Sequence, residues 1–272
     1  MIVVTGATGN IGRPLVQALV DAGAPVTAVS RRAAAMSAGV RSVQADLTEP
    51  ESLEPVLRGA AALFVLTGPD FMANGDIGQV VKVVEKAGVR RVVLLSSQGV
   101  STKRHSPHLE DAVRQSDLEW TMLRPGNFDS NALQWAESVR ASRVVVAPFG
   151  DVALPAVDPA DIAEVAAAAL HEPGHGGAIY TLTGPRPIGP RQQAMAIGDA
   201  LGEPVKFVEQ SREHARNQML GYMPEPVVEA TLGVLGNPSP DEQSVSPDVE
   251  RVLGRSPRPF ADWAARHIAA FR

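Results

Sequence analysis

The chain has 272 residues, a formal net charge of −5 at pH 7 and no cysteine. That length fits one large α/β domain, or one domain with a small appendage. Disulfides, thiol catalysis and cysteine metal sites are excluded, and the acidic balance argues against nucleic acid as a partner. No apolar run approaches the roughly 18 residues of a membrane span. The first predicted strand starts at residue 2, so we expect no signal peptide, no membrane partner and a cytoplasmic location.

A glycine-rich segment joins the first predicted strand, 2–5, to the first predicted helix, 11–22. Glycines at this point allow a sharp turn, a close approach of backbone to pyrophosphate and close helix packing, while the helix N-terminus attracts phosphate. We therefore predict a dinucleotide site; the alternative is a glycine-rich turn of another α/β protein. Its predicted cofactor-binding residues are Gly6, Thr8, Gly9, Asn10, Ile11 and Gly12.

The end of the second predicted strand, 25–29, indicates which dinucleotide binds. An NAD enzyme carries an acidic residue about 20 residues after the glycines, to hold the ribose 2′-hydroxyl. Here the chain has Ser30, Arg31 and Arg32 instead. Guanidinium groups suit a 2′-phosphate, so we predict NADP(H) as the cofactor. The alternative is a solvated basic turn.

Short β-branched runs alternate with helical patterns through the first half of the chain. We predict further strands at 41–44, 62–66, 91–96 and 119–123, and helices at 51–58, 77–86 and 108–115. This alternation predicts an α/β fold, a Rossmann doubly wound parallel sheet. Asp46 and Leu47 follow the third strand, where such folds meet adenine; a helix-entry aspartate is the alternative.

The second half of the chain has a different character. Asp158 is predicted to cap a helix that starts with Pro159, and 177–183 is predicted to be the last strand. Helices are predicted at 190–201, 211–221 and 226–235, a polar loop at 236–246 and an amphipathic helix at 259–271. We predict a dinucleotide-binding domain at 1–185 and a smaller, mainly helical substrate-side region at 186–272, to which 143–157 contributes.

Taken together, these segments resemble the NmrA-like NAD(P)-binding group of atypical short-chain dehydrogenase/reductases. The resemblance lies in 5–12 (TGATGNIG), 30–32 (SRR), 94–97 (LLSS), 119–128 (EWTMLRPGNF), 157–163 (VDPADIA) and 258–263 (RPFADW). It implies a Rossmann sheet with a small C-terminal region over the nicotinamide end. We assign to the cofactor site also Leu66, Thr67, Gly68, Ser96, Ser97, Pro125, Asn127 and Phe128.

The chain departs from the wider superfamily in its catalytic pattern. A typical member has a serine after strand five and then a tyrosine and a lysine, which supply the proton. Ser97 fits the serine position, but no tyrosine occurs between 98 and 130. Ser97 and His108 are our candidate catalytic residues, since a histidine can act as an acid at neutral pH. His105 is similar to His108; for both, a surface histidine is the alternative.

Three functions remain open from the sequence. The first is an NADPH-dependent oxidoreductase that reduces a carbonyl, quinone or enone of a small apolar molecule without the usual tyrosine–lysine relay. The second is a non-catalytic NADP(H)-binding sensor, and the third a nucleotide-sugar epimerase-like isomerase. We expect a small-molecule substrate and a monomer or homodimer. The residues that could line an apolar pocket are Phe71, Met72, Phe128, Trp135, Met219, Tyr222 and Met223.

Overall fold

A computed structural model describes residues 1–32, 35–37 and 39–272. The strands are β1 Ile2–Val4, β2 Val26–Ser30, β3 Arg41–Gln44, β4 Ala62–Val65, β5 Arg91–Leu95, β6 Glu119–Pro125, β7 Val144–Ala147, β8 Ala178–Leu182 and β9 Lys206–Glu209. The helices through the middle of the chain are α1 Gly12–Asp21, α2 Glu54–Leu57, α3 Pro69–Asn74, α4 Ile77–Lys86, α5 Gln98–Ser101, α6 His108–Arg114 and α7 Ala136–Ser142. They are followed by α8 Pro159–His171, α9 Pro190–Leu201, α10 Arg212–Met219, α11 Glu225–Gly236, α12 Pro240–Gln243, α13 Asp248–Leu253 and α14 Phe260–Arg266. Short 3-10 helices cover Pro50–Leu53, Asp129–Trp135 and Ile268–Ala270.

The chain divides into two compact units that alternate along the sequence. Unit 1 comprises Met1–Pro125, Pro159–Leu182 and Asp248–Arg255. Unit 2 comprises Gly126–Asp158, Thr183–Pro247 and Ser256–Arg272. The boundary predicted after residue 185 lies close to the change at Leu182. The segment Gly126–Asp158 belongs to unit 2; of it, only 143–157 was predicted to contribute to the second region.

Unit 1 is built on a seven-stranded sheet in the order β3-β2-β1-β4-β5-β6-β8, in which all neighbours are parallel. Its central strands are short, apolar and buried along their whole length, as in β1 and β4, because helices cover both faces of such a sheet. On one side α1 packs against α8, and elsewhere α4 packs against α6. This is the doubly wound Rossmann fold that the sequence predicts.

The strand order reverses between β1 and β4. In open α/β sheets the crevice outside the carboxyl ends of the strands, at this reversal, is where ligands bind. The loops that follow β1 and β4 therefore occupy the ligand-binding position of the fold.

Unit 2 has its own parallel pair of strands, β7 and β9. Its core contains Trp135, Val139, Ile197, Phe260 and Trp263. A second, smaller apolar cluster joins α10 to α11. Within the part of the chain that the structure describes, no helix is long and apolar enough to cross a membrane. The cellular location given by the sequence analysis stays a prediction.

Candidate functional site: a dinucleotide-binding edge and an open cavity

The glycine loop, residues 6–12, follows β1 and leads into α1. Gly6 has a φ of 63°, a left-handed conformation that favours glycine. A Cβ at Gly12 would lie 2.1 Å from the carbonyl oxygen of Gly6, so the helix can start this close to the loop only with glycine there. The Ala7 N–H donates to the Val29 carbonyl over 3.1 Å, which fixes the loop against β2.

Thr5 joins the two strands at the reversal. Its hydroxyl donates to the Phe64 carbonyl (2.9 Å) and accepts from the Leu66 N–H (3.0 Å). A Cβ at Gly6 would lie 3.2 Å from the Leu66 side chain. The predicted cofactor residues 66–68 are thus held beside the glycine loop.

The start of α1 presents the positive end of a helix at the glycine loop. The N-cap residue of α1, Ile11, has an aliphatic side chain that cannot accept a hydrogen bond. The first turn of α1, all of which the structure describes, contains no acidic residue. In that turn the Arg13 N–H already donates to the Gly9 carbonyl at 3.1 Å and Pro14 has no N–H, so what the helix offers to phosphate is chiefly its positive dipole end. Arg13, which the sequence analysis overlooked, folds its Nε onto the Thr8 carbonyl at 2.9 Å, next to that position.

The predicted basic turn follows β2. Arg31 and Arg32 are both exposed, and the Ser30 hydroxyl donates to the Arg32 carbonyl over 2.6 Å. The Arg31 guanidinium forms an ion pair with Asp70 at the start of α3. Since α3 follows β4 and the turn follows β2, this pair joins the loops on either side of β1.

Asp46 organises the turn after β3. Its side chain accepts from the Thr48 N–H at 2.9 Å, and its own N–H donates to the Ser52 hydroxyl at 3.0 Å. Leu47 is buried beside it. The aspartate therefore has a structural role in shaping this loop, and its contact with cofactor stays a prediction.

A fully buried carboxylate, Glu110, lies behind the strand ends. It accepts from the Ser96 hydroxyl at 2.6 Å and from Arg124 at 2.6 and 2.8 Å, and it pairs with Arg114 at 2.8 Å. Burial opposes ionisation of this group, but the hydrogen bonds from Arg124 and Ser96 and the two arginine charges hold the pKa of its carboxyl below the ordinary value. Glu110 thereby ties β5, α6 and β6 together next to Ser97.

Ser97 follows β5 and caps α5. Its Oγ accepts from the Gly99 N–H at 3.0 Å and lies 3.0 Å from Nδ1 of His105. His108 lies at the exposed start of α6, and its N–H is 3.4 Å from the Ser106 hydroxyl. The structure therefore pairs Ser97 with His105, whereas a catalytic role for His108 stays a prediction.

The turn between Ser97 and His105 is shaped to bring the imidazole back to the serine. The N–H groups of Arg104 and His105 both donate to the Gly99 carbonyl, at 2.8 and 2.9 Å. Lys103 has a φ of 60°, unusual for a residue with a side chain. A Cβ on Gly99 would lie 2.5 Å from Nδ1 of His105, so the ring packs directly on the glycine.

Tyr180 of unit 1 does not take the place of the tyrosine that is missing beside Ser97. Tyr180, in β8, has its hydroxyl 2.8 Å from Nδ1 of His175. Burial, followed by the charge of Asp248, raises the pKa of Tyr180, which makes it a poorer acid. Tyr222 belongs to unit 2 and is two-thirds exposed.

Unit 2 contains a partly open cavity of about 1110 Å³. The 3-10 helix Asp129–Trp135, the segment after β7, and helices α9, α10 and α11 contribute to its wall. Of the pocket residues suggested by the sequence, it brings together Phe128, Trp135, Met219, Tyr222 and Met223. We refer to it as the unit 2 cavity.

Other predicted residues lie elsewhere. Asn127 is also on the wall of the unit 2 cavity, whereas Pro125 ends β6 in unit 1. Phe71 is buried in the core of unit 1, and Met72 is exposed. No group of three or more histidine, aspartate or glutamate side chains in the described ranges could hold a metal ion.

The chain matches the family model described as NAD(P)H-binding over residues 6–173. A (4-alkanoyl-5-oxo-2,5-dihydrofuran-3-yl)methyl phosphate reductase from Streptomyces griseus is 38% identical, over 100% of this chain and 99% of the relative. An NAD(P)H azoreductase from Xenophilus azovorans is 33% identical over 100% and 99%. Among solved structures, a triphenylmethane reductase from Citrobacter sp. in complex with NADP(H) aligns with a TM-score of 0.80 and 25% identity, over 98% of this chain and 100% of that one.

Proposed function

We propose that this chain, which belongs to the NAD(P)H-binding family and its NmrA-like group of atypical short-chain dehydrogenase/reductases, reduces a carbonyl, quinone or enone of a small apolar molecule. The observation that carries the proposal is the glycine loop, whose geometry provides a dinucleotide site in a chain related along its whole length to two reductases. The predicted cofactor, NADP(H), and the predicted enzyme class, a reductase, are both confirmed. The two relatives are named as reductases and favour the first of the three functions.

The residues of unit 1 fit the cofactor. The glycine loop and the positive end of α1 would hold the pyrophosphate, and Arg31 and Arg32 would pair with a 2′-phosphate. Leu66, Thr67 and Gly68 would contact the part of the dinucleotide that extends past the glycine loop. NADPH supplies a hydride when it is bound.

Ser97 would donate a hydrogen bond to the substrate oxygen on which negative charge develops. A serine hydroxyl is a weak acid, but His105 can orient it and supply a proton to it through the 3.0 Å contact. In this proposal Ser97 is the catalytic residue and His105 a positioning residue. The tyrosines take no part.

The direct test measures NADPH oxidation by the purified protein over a panel of quinones, ketones and enones, with NADH for comparison. We expect reduced product in equal amount to the NADPH consumed, and a slower reaction with NADH. Gly12→Ala is the negative control. Its Cβ would clash with the Gly6 carbonyl and distort the glycine loop, so this variant should not bind the pyrophosphate of NADPH. Binding of NADPH without oxidation by any member of the panel would overturn the proposal.

The absence of a tyrosine donor is tested by two conservative variants. Tyr180→Phe and Tyr222→Phe should each leave the rate within about threefold, roughly 0.7 kcal/mol of barrier, whereas Ser97→Ala should cost about tenfold or more. A thousandfold loss in either tyrosine variant, with folding and NADPH binding intact, would show that a tyrosine reaches the reacting atoms.

A further inference from the structure

We infer that the unit 2 cavity binds an uncharged ring compound and discriminates against phosphorylated or other anionic molecules. Identifying that compound as the substrate rests on the proposed reductase function. The inference separates this chain from its 38% identical relative, whose name specifies a phosphate ester.

The cavity wall is polar but carries little charge. Six carboxamide side chains line it, none of its described lining residues is Lys, Arg, Asp or Glu, and His214 is the one imidazole among them. The six are Asn127, Asn131, Gln134, Gln193, Gln210 and Gln218. Carboxamides donate and accept hydrogen bonds, so they suit carbonyl, ether and hydroxyl groups and provide no net charge to balance an anion.

The cations on the helices around the cavity are already paired with carboxylates. Arg191 of α9 binds Asp151 through two hydrogen bonds of 2.8 and 3.0 Å. On α10, Arg212 and Arg216 both bind Glu229 of α11, at 2.5 and 2.6 Å. None of these three arginines lines the cavity, so a phosphate that left water for the cavity would find no Lys or Arg on the wall to balance its charge, which costs free energy.

The apolar part of the wall favours flat rings. Phe128, Trp135, Phe149 and Tyr222 all line the cavity, with Met219 and Met223 beside them. Aromatic faces stack on planar rings, and methionine adapts to irregular shapes. The volume of about 1110 Å³ is generous for a small-molecule site, so a fused ring with a side chain fits.

The test uses two quinones that share a ring and differ in charge: 2-methyl-1,4-naphthoquinone and 1,4-naphthoquinone-2-sulfonate. Binding is measured by calorimetry on protein loaded with NADP⁺, which cannot deliver hydride, so affinity is read without turnover. We expect the uncharged quinone to bind at least about tenfold more tightly than the sulfonate.

A matched pair of variants tests whether the lack of Lys and Arg on the cavity wall causes the weaker binding of the sulfonate. Gln218→Arg places an unpaired cation on the lining and should improve sulfonate affinity by at least about tenfold, with the uncharged quinone changed less than threefold. Asn217→Arg adds the same charge on the neighbouring exposed residue of α10, which does not line the cavity, and should have little effect on either ligand.

The outcomes separate the two proposals. Sulfonate affinity within threefold of the uncharged quinone, or equal gains from the two arginine variants, would overturn the inference about the cavity. Selective binding of the uncharged quinone, without NADPH oxidation over the wider panel, would support the cavity assignment and overturn the proposed reaction.

Discussion

Arg31 has two partners that compete for its guanidinium, one in the protein and one in the proposed cofactor. In the structure it pairs with Asp70, and both side chains are about two-thirds exposed. An exposed ion pair contributes little stability, so exchanging the carboxylate for a 2′-phosphate costs little. The pair therefore holds the basic turn near its binding position without opposing NADPH strongly.

Removing both arginines should abolish the preference for NADPH. Each charge-assisted contact contributes roughly 1.5–3 kcal/mol, so Arg31→Ala with Arg32→Ala should lower NADPH affinity by at least about tenfold. NADH affinity should stay nearly unchanged, because NADH lacks the 2′-phosphate. Titration of both nucleotides by calorimetry measures this, and equal affinities for NADPH and NADH in the unaltered protein would contradict the assignment.

Asp70→Asn should act in the opposite direction. With its carboxylate neutralised, Arg31 is released, and we expect NADPH to bind about two- to fivefold more tightly at low ionic strength. The gain should shrink as salt is added, because exposed charges are screened. A loss of affinity in Asp70→Asn would show that the pair organises the turn instead of competing with the phosphate.

Between elements, Glu110 joins the end of β5 to α6 and β6. Removing one partner of a buried ion pair leaves the other without compensation and typically costs 3–5 kcal/mol. Glu110→Gln should therefore lower the free energy of unfolding by about 3 kcal/mol or more at pH 7, measured by urea denaturation. Asp151→Asn, which breaks an exposed pair with Arg191, is the control and should change it little.

The Glu110 effect should depend on pH. Its folded-state pKa is lowered from 4.5, so the stabilisation is present above that unfolded value and is lost as the pH falls through the folded one. The difference between unaltered protein and Glu110→Gln should therefore be greatest above about pH 5 and narrow at lower pH. A difference that is constant down to pH 3 would show that shape, not charge, is what the residue provides.

If His105 supplies a proton to Ser97, kcat should depend on the side chain at position 105. His105→Asn keeps a donor near the Ser97 hydroxyl but cannot supply a proton, whereas His105→Ala removes both. We expect kcat to fall about tenfold in His105→Asn and further in His105→Ala, with NADPH affinity unchanged in both. Gly99→Ala, which displaces the ring by steric contact, should resemble His105→Ala.

His108→Ala is the comparison that decides between the two histidines. If His108 takes no part in supplying a proton, the rate and the pH profile of His108→Ala should match those of the unaltered protein. His105→Asn should instead show the roughly tenfold loss of kcat given above. The reverse pattern would assign the role to His108.

The sequence predicted the sheet of unit 1 because its strands are short runs of buried β-branched residues between amphipathic helices. Predicted strand 41–44 matches β3, and predicted helix 77–86 matches α4. The sequence analysis missed β9 and α13, since Lys206–Glu209 is mostly exposed and α13 packs against α8 and β8, far away in sequence. A local signal for α12 was present: Ser239 and Glu242 form a capping box, inside a segment we predicted to be a loop.

The candidate site divides in the same way. The glycine loop could be predicted because its geometry depends on residues next to one another in sequence. The pairing of Ser97 with His105 depends on Lys103 and on the space above Gly99, which spacing alone does not reveal. The wall of the unit 2 cavity comes from segments about 100 residues apart, and only its aromatic and methionine residues were suggested by composition.

At the scale of the whole molecule, the chain leaves and re-enters each unit, so neither unit is a continuous stretch of sequence. The segments Pro159–Leu182 and Asp248–Arg255 complete unit 1 with α8, β8 and α13. A truncation at residue 185 would therefore remove α13 from unit 1, although the sheet itself would be retained.

Within unit 2, α10 and α11 are held less firmly than the rest. Their buried apolar residues in the described structure are Ala215, Val228 and Leu232, a small cluster apart from the larger core. Partly buried Phe149, Met219 and Met223 pack against it, and exposed ion pairs such as Arg212 with Glu229 add to these contacts. These two helices also provide much of the wall of the unit 2 cavity. Elements with few buried contacts open most readily, and a ligand that binds their inner face would stabilise them.

Hydrogen exchange should therefore show fast exchange in 207–235 without ligand, and slower exchange once NADP⁺ and 2-methyl-1,4-naphthoquinone are both bound. A cover of this kind excludes water from a reaction site. Helix α14 is the internal control: it belongs to the same unit, its Phe260 and Trp263 are buried in the larger core, and it does not line the cavity. Its exchange should be slow throughout. If 207–235 is unaffected by the ligands, or if α14 gains protection to the same extent, then α10 and α11 do not form a ligand-stabilised cover, and the cavity behaves as a preformed part of a uniformly rigid unit.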